Sequence, residues 1–326
     1  MAIASNTSLT YGAVAIREDL SDVIYNIAPM DTPFMSGCSK TTADNTFFEW
    51  QTDSITAGAA NRKIEGDDNI GADARVLPVR LGNYTQISQY VNQTSGTDQV
   101  MNYAGHGKNQ AYQLAKNGKR MKRDMESMLT QNVIRAAGDA TEARATAGIP
   151  AWLNTSHVAG GSGGSAAAGS LGTTAMVNNT STAAASEVNI KAVIKECYDA
   201  GGSPDMMLVP SNVKQTISAL SQTVSELRTA ANKEAPAAVV AAVDIYVSDF
   251  GTFKIVPDRN LAKDGPGSVA ANIFFLDMDF WAIAWLRPFN TVDLAKTGDS
   301  VKQLLVAEYG LVSKNEASSG ILASVS

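Results

Sequence analysis

Residues 49–68 read EWQTDSITAGAANRKIEGDD. The stretch opens as a strand and then gives a core almost nothing: after Trp50 come small residues and charges, with Ile55 and Ile64 as the large apolar side chains. β-formers precede it in FFEWQT and return in VRLGNYTQISQYV. Residues 46–95 therefore read as one long β-hairpin, with strands NTFFEWQTDSI and RVLPVRLGNYTQISQYV and this segment at the tip. A two-stranded ribbon alone is marginal in water. An arm of this kind needs another surface to lie on.

On the N-terminal side, residues 1–45 read as an extended arm with one short helix. Ile16, Leu20, Val23, Ile24 and Ile27 recur at helical spacing before Pro29 and Pro33 break the pattern. On the other side comes the strongest helical signal, HGKNQAYQLAKNGKRMKRDMESMLTQNVIRAAG, with Ala111, Leu114, Met121, Met125, Met128, Leu129 and Ile134 on one stripe and Gly118 as its weak point. At 1.5 Å per residue it predicts a helix of about 50 Å, beside a hairpin of similar reach.

From Ala145 to Ser186 there is no Asp, Glu, Lys or Arg, and GGSGGSAAAGSLGTT is of low complexity. That texture predicts a flexible or loosely ordered loop. Beyond it the pattern is that of a compact α+β domain. EVNIKAVIKECYDAGG reads as a helix with a glycine stop, MMLVP as a buried strand, SNVKQTISALSQTVSELRTA as a serine-capped helix, and VDIYVSDFGTFKIVPD as two strands around a tight turn. NIFFLDMDFWAIAWL, VKQLLVAEYGLVSKN and GILASV supply further strands, and there is no internal repeat.

Composition narrows the function. The chain has 326 residues, 18% charged and 44% hydrophobic, a globular balance long enough for roughly two domains. A net charge of -6 gives the whole chain no electrostatic footprint for nucleic acid or an anionic membrane. Cys38 and Cys197 lie far apart in no metal or redox spacing, which points to a reducing compartment without a disulfide framework. No secretion signal or membrane span is read, so the sequons at Asn6, Asn154 and Asn179 carry little meaning.

Groups for catalysis are scarce. The two histidines, His106 and His157, have no triad or zinc spacing around them and read as satisfied or solvent-facing. GGSGG does not follow a strand or end in Lys-Ser or Lys-Thr, so a linker is the expected role. EGDDNIGADAR places Asp67, Asn69 and Gly71 in a partly calcium-like order but lacks the closing glutamate, which leaves a solvated loop. No cofactor, metal or catalytic residue is expected. Lys116, Lys119, Arg120, Lys122 and Arg123 form a basic run, read first as a solvated face partnered by Asp124 and Glu126, with contact to packaged DNA as the alternative.

Together, REDLSDVIYNIAPMDTPFMS, NTFFEWQTDSI, NYTQIS, YQLAKNGKRMKRDMES and LAKTGDSVKQLLVAEYGLVSKNEASSGI resemble, in order and wording, one branch of the tailed-phage major capsid proteins with the Hong Kong 97 type fold. The blocks span residues 17–153 and 187–322, and the resemblance lies in the set. It implies an α+β fold with an N-terminal arm (1–45), an extended loop or E-loop (46–95), a peripheral domain with a spine helix (96–150), the flexible loop (151–186), an axial domain (187–290), and strands returning to the peripheral domain (291–326). It also implies a non-enzymatic subunit that assembles with itself into pentamers and hexamers of an icosahedral or prolate shell around double-stranded DNA. Portal and scaffolding or decoration proteins would be its partners, no membrane would be involved, and assembly would take place in the host bacterial cytoplasm.

The E-loop residues expected to contact a neighbour are Trp50, Arg62, Lys63, Glu65 and Arg75, and the candidate DNA-facing residues are Lys119, Arg120, Lys122 and Arg123. Lys63 lies where a loop lysine of the type member crosslinks to a neighbour's asparagine, but no acceptor block matches, so an ordinary solvated lysine is expected. No charged helical segment precedes Arg17, so no fused scaffolding segment is expected. The alternative function is a secreted or surface-layer filament or lattice subunit, which abundant Ala, Thr, Ser and Gly also suit.

Overall fold

The structure is a computed structural model that describes residues 31–55, 58, 60, 62, 64–66, 75–162, 166–224 (backbone alone for 221–224), 244–261 and 271–325. The helix expected around Ile16–Ile27, Lys63, the calcium-like Asp67, Asn69 and Gly71, and the sequon at Asn6 lie outside these residues.

The chain enters through a short helix α1 (Pro33–Gly37) that buries Phe34 edge-on against Trp281, and continues into β1 (Ser39–Thr42). β2 (Phe47–Thr52) pairs antiparallel with β3 (Val79–Tyr84), so the expected hairpin exists but is six pairs long. One further bond in the same register, from Thr85 N–H to the Thr46 carbonyl at 2.8 Å, closes this ladder at its root. β4 (Gln86–Ser95) then leaves for a different sheet, ordered β1-β10-β11-β4, with β10 (Trp281–Leu294) and β11 (Ser300–Ser313) as its long central pair. The register of β10 shifts between Trp285 and Arg287 and again between Arg287 and Asn290. Pro288 falls in that interval, where a bulge spares the ladder the N–H that proline lacks.

After the one-turn helix α2 (Gly96–Val100), α3 (Asn109–Thr130) lies on β4 and β11. At 22 residues it is about 33 Å long, shorter than the pattern predicts. Met121, Met125 and Leu129 are fully buried, Leu114 packs against the same core, and Met128 is half-buried. Ile134 is exposed, because the helix ends at Thr130 and NVIRAAG turns away to pair Ala136 with Ala145.

The segment expected to be a flexible loop is folded where described. It holds α4 (Ile149–Trp152), whose residues are all buried, and β5 (Ser156–Ala159). It also has a bridge between Ala167 and Val177, and a clasp in which Asn132 both accepts from and donates to the backbone of Met176. Small side chains here serve close backbone approach: a Cβ on Gly169 would collide with the Pro150 carbonyl.

α5 (Glu187–Asp199) is capped by Ser186, whose hydroxyl accepts from Asn189 N–H at 3.2 Å. With β6 (Met206–Val209), α6 (Ser211–Val224), β7 (Ile245–Ser248), β8 (Gly251–Pro257), β9 (Ala271–Leu276) and β12 (Gly320–Val325) it builds a sheet ordered β5-β12-β9-β6-β8-β7. Alternate residues on its central strands serve two cores. Met207, Val209, Ile273, Phe275 and Leu322 face α5 and α6, whereas Leu208, Phe274, Leu276, Ile321 and Ala323 join the core under α3. Strands covered on both faces read as unbroken apolar runs, which is why MMLV, NIFFL and GILASV look as they do. Two boundaries differ from the expected organisation: β10 enters the four-stranded sheet already at Trp281, and the closing β12 belongs to the six-stranded sheet.

Candidate assembly surface

Between Thr52 and Val79 the described residues carry apolar side chains that no other described residue covers. Ile55 is 99% exposed, Ile64 82% and Leu77 74%, with Arg62, Glu65 and Arg75 exposed around them. Three large aliphatic side chains in water cost free energy that burial on a second surface would return, about 1.5–3 kcal/mol each when complete. Trp50 is placed differently from the other expected contact residues. Its indole N–H donates to the Ser313 carbonyl at 2.8 Å, and its ring stacks on Phe48 and meets Trp152, so it secures the loop to its own subunit.

The root of the loop is held by a buried polar network. Asn83 donates to the Leu311 carbonyl at 2.8 Å and the Thr146 hydroxyl at 3.0 Å, and accepts from Ala147 N–H at 3.1 Å. At the β3–β4 corner the Thr85 hydroxyl donates to Glu308 at 2.8 Å. Glu308, 3% exposed, also takes Arg144 at 2.7 Å and Arg287 at 2.8 Å, one on each carboxylate oxygen. Phe48 lies across Gly310, where any side chain on β11 would meet its ring. The corner from which the loop leaves is thus fixed by charge and by packing.

On α3 the basic residues do not act as one set. Lys119 and Arg120 are exposed, and the Arg120 guanidinium sits 4.5 Å over the Tyr90 ring. Arg120 and Arg123 both approach Asp124 at 3.9 Å, and Asp124 accepts a short bond from the Tyr90 hydroxyl. Lys122 instead lines a groove of about 890 Å³ with Met35, Trp285 and Phe289. Glu126, expected to partner this basic run, does not: it is fully buried and accepts from the backbone N–H groups of Phe34 at 2.7 Å and Met35 at 2.8 Å. Burial pushes its carboxyl up to about 7, partly opposed by these two bonds, with Asp258 adding a smaller upward push.

The remaining candidates gather no chemistry. His106 lies between the rings of Tyr103 and Tyr112, and burial lowers His157 below its ordinary value. Both cysteines are buried free thiols, raised by desolvation. Among the described residues no group of three His, Cys, Asp or Glu is placed to hold a metal, and no helix is long and apolar enough to cross a membrane.

Two cores joined by a shared sheet, a long helix on the second sheet, and an exposed loop rooted in its own polar network make up the subunit. The model of the SU10 major capsid protein family matches residues 3–326, and the chain belongs to that family. The major capsid protein of Escherichia phage Phieco32 is 26% identical over 327 residues, covering 91% of this chain and 90% of that protein. Among solved structures, the capsid of the native GTA particle matches with a TM-score of 0.66 at 14% identity, over 99% of this chain and 100% of that one. The cyanophage A-1(L) capsid matches with a TM-score of 0.63 at 11% identity, over 95% and 97%. The fold is therefore of the Hong Kong 97 type, and the protein is a structural capsid component that assembles with itself, not an enzyme. The filament or surface-lattice alternative finds no support in these comparisons.

Proposed function

We propose that this capsid subunit forms pentameric and hexameric rings of a closed shell around double-stranded DNA, assembled in the host cytoplasm with portal and scaffolding or decoration proteins. In this reading the six-stranded sheet is the axial domain, the four-stranded sheet with α3 the peripheral domain, and residues 1–45 the arm. The loop between Thr52 and Val79 lies on the next subunit, with Arg62, Lys63, Glu65 and Arg75 as polar contacts beside Ile55, Ile64 and Leu77. The observation that carries the reading is the contrast between those bare apolar side chains and the tightly bonded root beneath them. Closed symmetry then multiplies a modest contact into a stable shell. Lys119, Arg120, Lys122 and Arg123 are the DNA-facing candidates.

Deleting Ala57–Asp73 tests the central claim. The subunit is expected to stay soluble and folded while negative-stain microscopy shows no shells, because the tip contributes to a neighbour's contacts rather than its own core. Shells of normal size would refute it.

A further inference from the structure

The first turn of α1 has two N–H groups without a backbone partner. Pro33 has none to offer, Thr32 makes no side-chain cap, and Ser36 already donates to the Thr32 carbonyl at 3.0 Å. The two orphans, Phe34 and Met35, are both taken by Glu126 from α3, one on each carboxylate oxygen. Beside them, the turn after β8 holds the preceding residue: Asp258 accepts from Asn260 N–H at 2.8 Å, and the Asn260 side chain donates to the Asp31 carbonyl at 2.9 Å. Asp258 is itself buried, and its second oxygen has no hydrogen-bond partner. Glu126 thus grips Phe34 and Met35 directly, Asp258 fixes the turn whose Asn260 side chain holds Asp31, and neither carboxyl has an ion pair with a basic side chain among the described residues.

We propose that Glu126 and Asp258 form a proton-linked clasp on residues 31–35, which holds the root of the N-terminal segment tightly in mild acid and loosens as the medium turns alkaline.

The sign follows from which state keeps the proton. The two N–H bonds favour the carboxylate, but desolvation outweighs them, and Glu126 is raised from 4.5 to about 7 while clasped. An opened segment lets water reach the carboxyl and returns it toward its ordinary value. The clasped state therefore binds more protons, and acid favours it; above about 7 the buried charge favours opening. Other titratable groups around α3 do not reverse this. Cys38, just beyond α1, is raised by burial and by Glu126 and stays neutral, as do Tyr90 on β4 and Tyr309 on β11, both raised. α4 brings no titratable group. Asp258, also raised by desolvation with a smaller push from Asp31, acts in the same direction as Glu126.

The clasp does not rest on reading residues 1–45 as an arm between subunits. Hydrogen exchange of the peptide spanning 31–38 in unassembled subunits, corrected for intrinsic rate, measures it directly. Closure should strengthen about 30-fold between pH 8.5 and 5.5, as a shift from about 4.5 to about 7 requires. Glu126→Gln, permanently neutral, should remove that change of about 30-fold and leave the smaller dependence that Asp258 carries in the same direction. Asp258→Asn keeps the Glu126 carboxyl and should move the midpoint to lower pH, which preserves the test should the glutamine variant not fold. Protection that is flat with pH, or that falls on acidification, overturns the proposal. Particle formation scored in parallel by microscopy reports on the shell reading alone, so a missing clasp and a missing shell are told apart.

Discussion

Glu308 makes the most quantitative test of how the exposed loop is held. Replacing it by alanine removes the partner of Arg144, whose side chain is 25% exposed, of Arg287, which is 52% exposed, and of the buried Thr85 hydroxyl. Arg144 is partly exposed, so losing its counter-charge costs less than the about 3–5 kcal/mol of a fully buried pair. The half-exposed Arg287 contributes less than about 1 kcal/mol, because solvent screens it. The buried Thr85 hydroxyl left without its acceptor adds about 1 kcal/mol, so about 3 kcal/mol in all is expected for Glu308→Ala. Glu308→Gln keeps one acceptor oxygen and should cost roughly half as much. With about 2.1 cal/mol/K of unfolding entropy per residue, a chain of 326 residues loses about 4 °C of Tm for the alanine variant, readable by calorimetry on unassembled subunits. Thr85 marks the corner where the loop leaves, so the concentration needed for shell formation should rise as well. A Tm within about 1.5 °C of wild type, equal for alanine and glutamine, would refute the reasoning.

Replacing Lys119, Arg120, Lys122 and Arg123 by glutamine should leave shells that form normally and hold less DNA, measured as the nucleic-acid to protein absorbance ratio of purified particles; unchanged content returns these residues to an ordinary solvated face. Met125→Asp should yield no soluble subunit, since it buries a charge with no partner in the core under α3. Met125→Leu, nearly equal in volume, should cost less than about 1.5 kcal/mol in denaturant unfolding, and a larger loss would mean the site depends on the shape of the thioether chain.

What was legible in the sequence, and what was not, divides along physical lines. The central strands of the six-stranded sheet were legible because both faces are covered, which forces unbroken apolar runs at β6, β9 and β12. α5 was legible because its stop is local: Gly201 takes a left-handed φ of 89° just past the last turn. The end of α3 was not. NVIRAAG has helical composition, and it leaves the helix because Ala136 pairs with Ala145 and because Gly148 packs against the Gln131 carbonyl, contacts the local pattern does not contain. The Gly/Ala/Ser-rich segment misled for a related reason. Small residues suit a flexible linker, and they equally suit backbone packed on backbone, and only the surroundings of Gly169 distinguish the two.

Glu126 is the instructive miss. In sequence it follows five basic residues and reads as their partner, whereas in space its partners are two amides 91 and 92 residues earlier. A signal was present: Glu126 adjoins Met125 on the buried side of α3, and TPFMS opens a turn in which proline leaves two amides uncapped. The exposed loop shows the opposite case. The role proposed for it was read from what EWQTDSITAGAANRKIEGDD lacks, a second layer for its isolated large aliphatics, of which Ile55 and Ile64 are exposed. The proposed burial on another copy would supply that layer, and a ring of copies would supply it to every loop at once. A segment without a private core is therefore informative about assembly where a buried strand is informative only about fold.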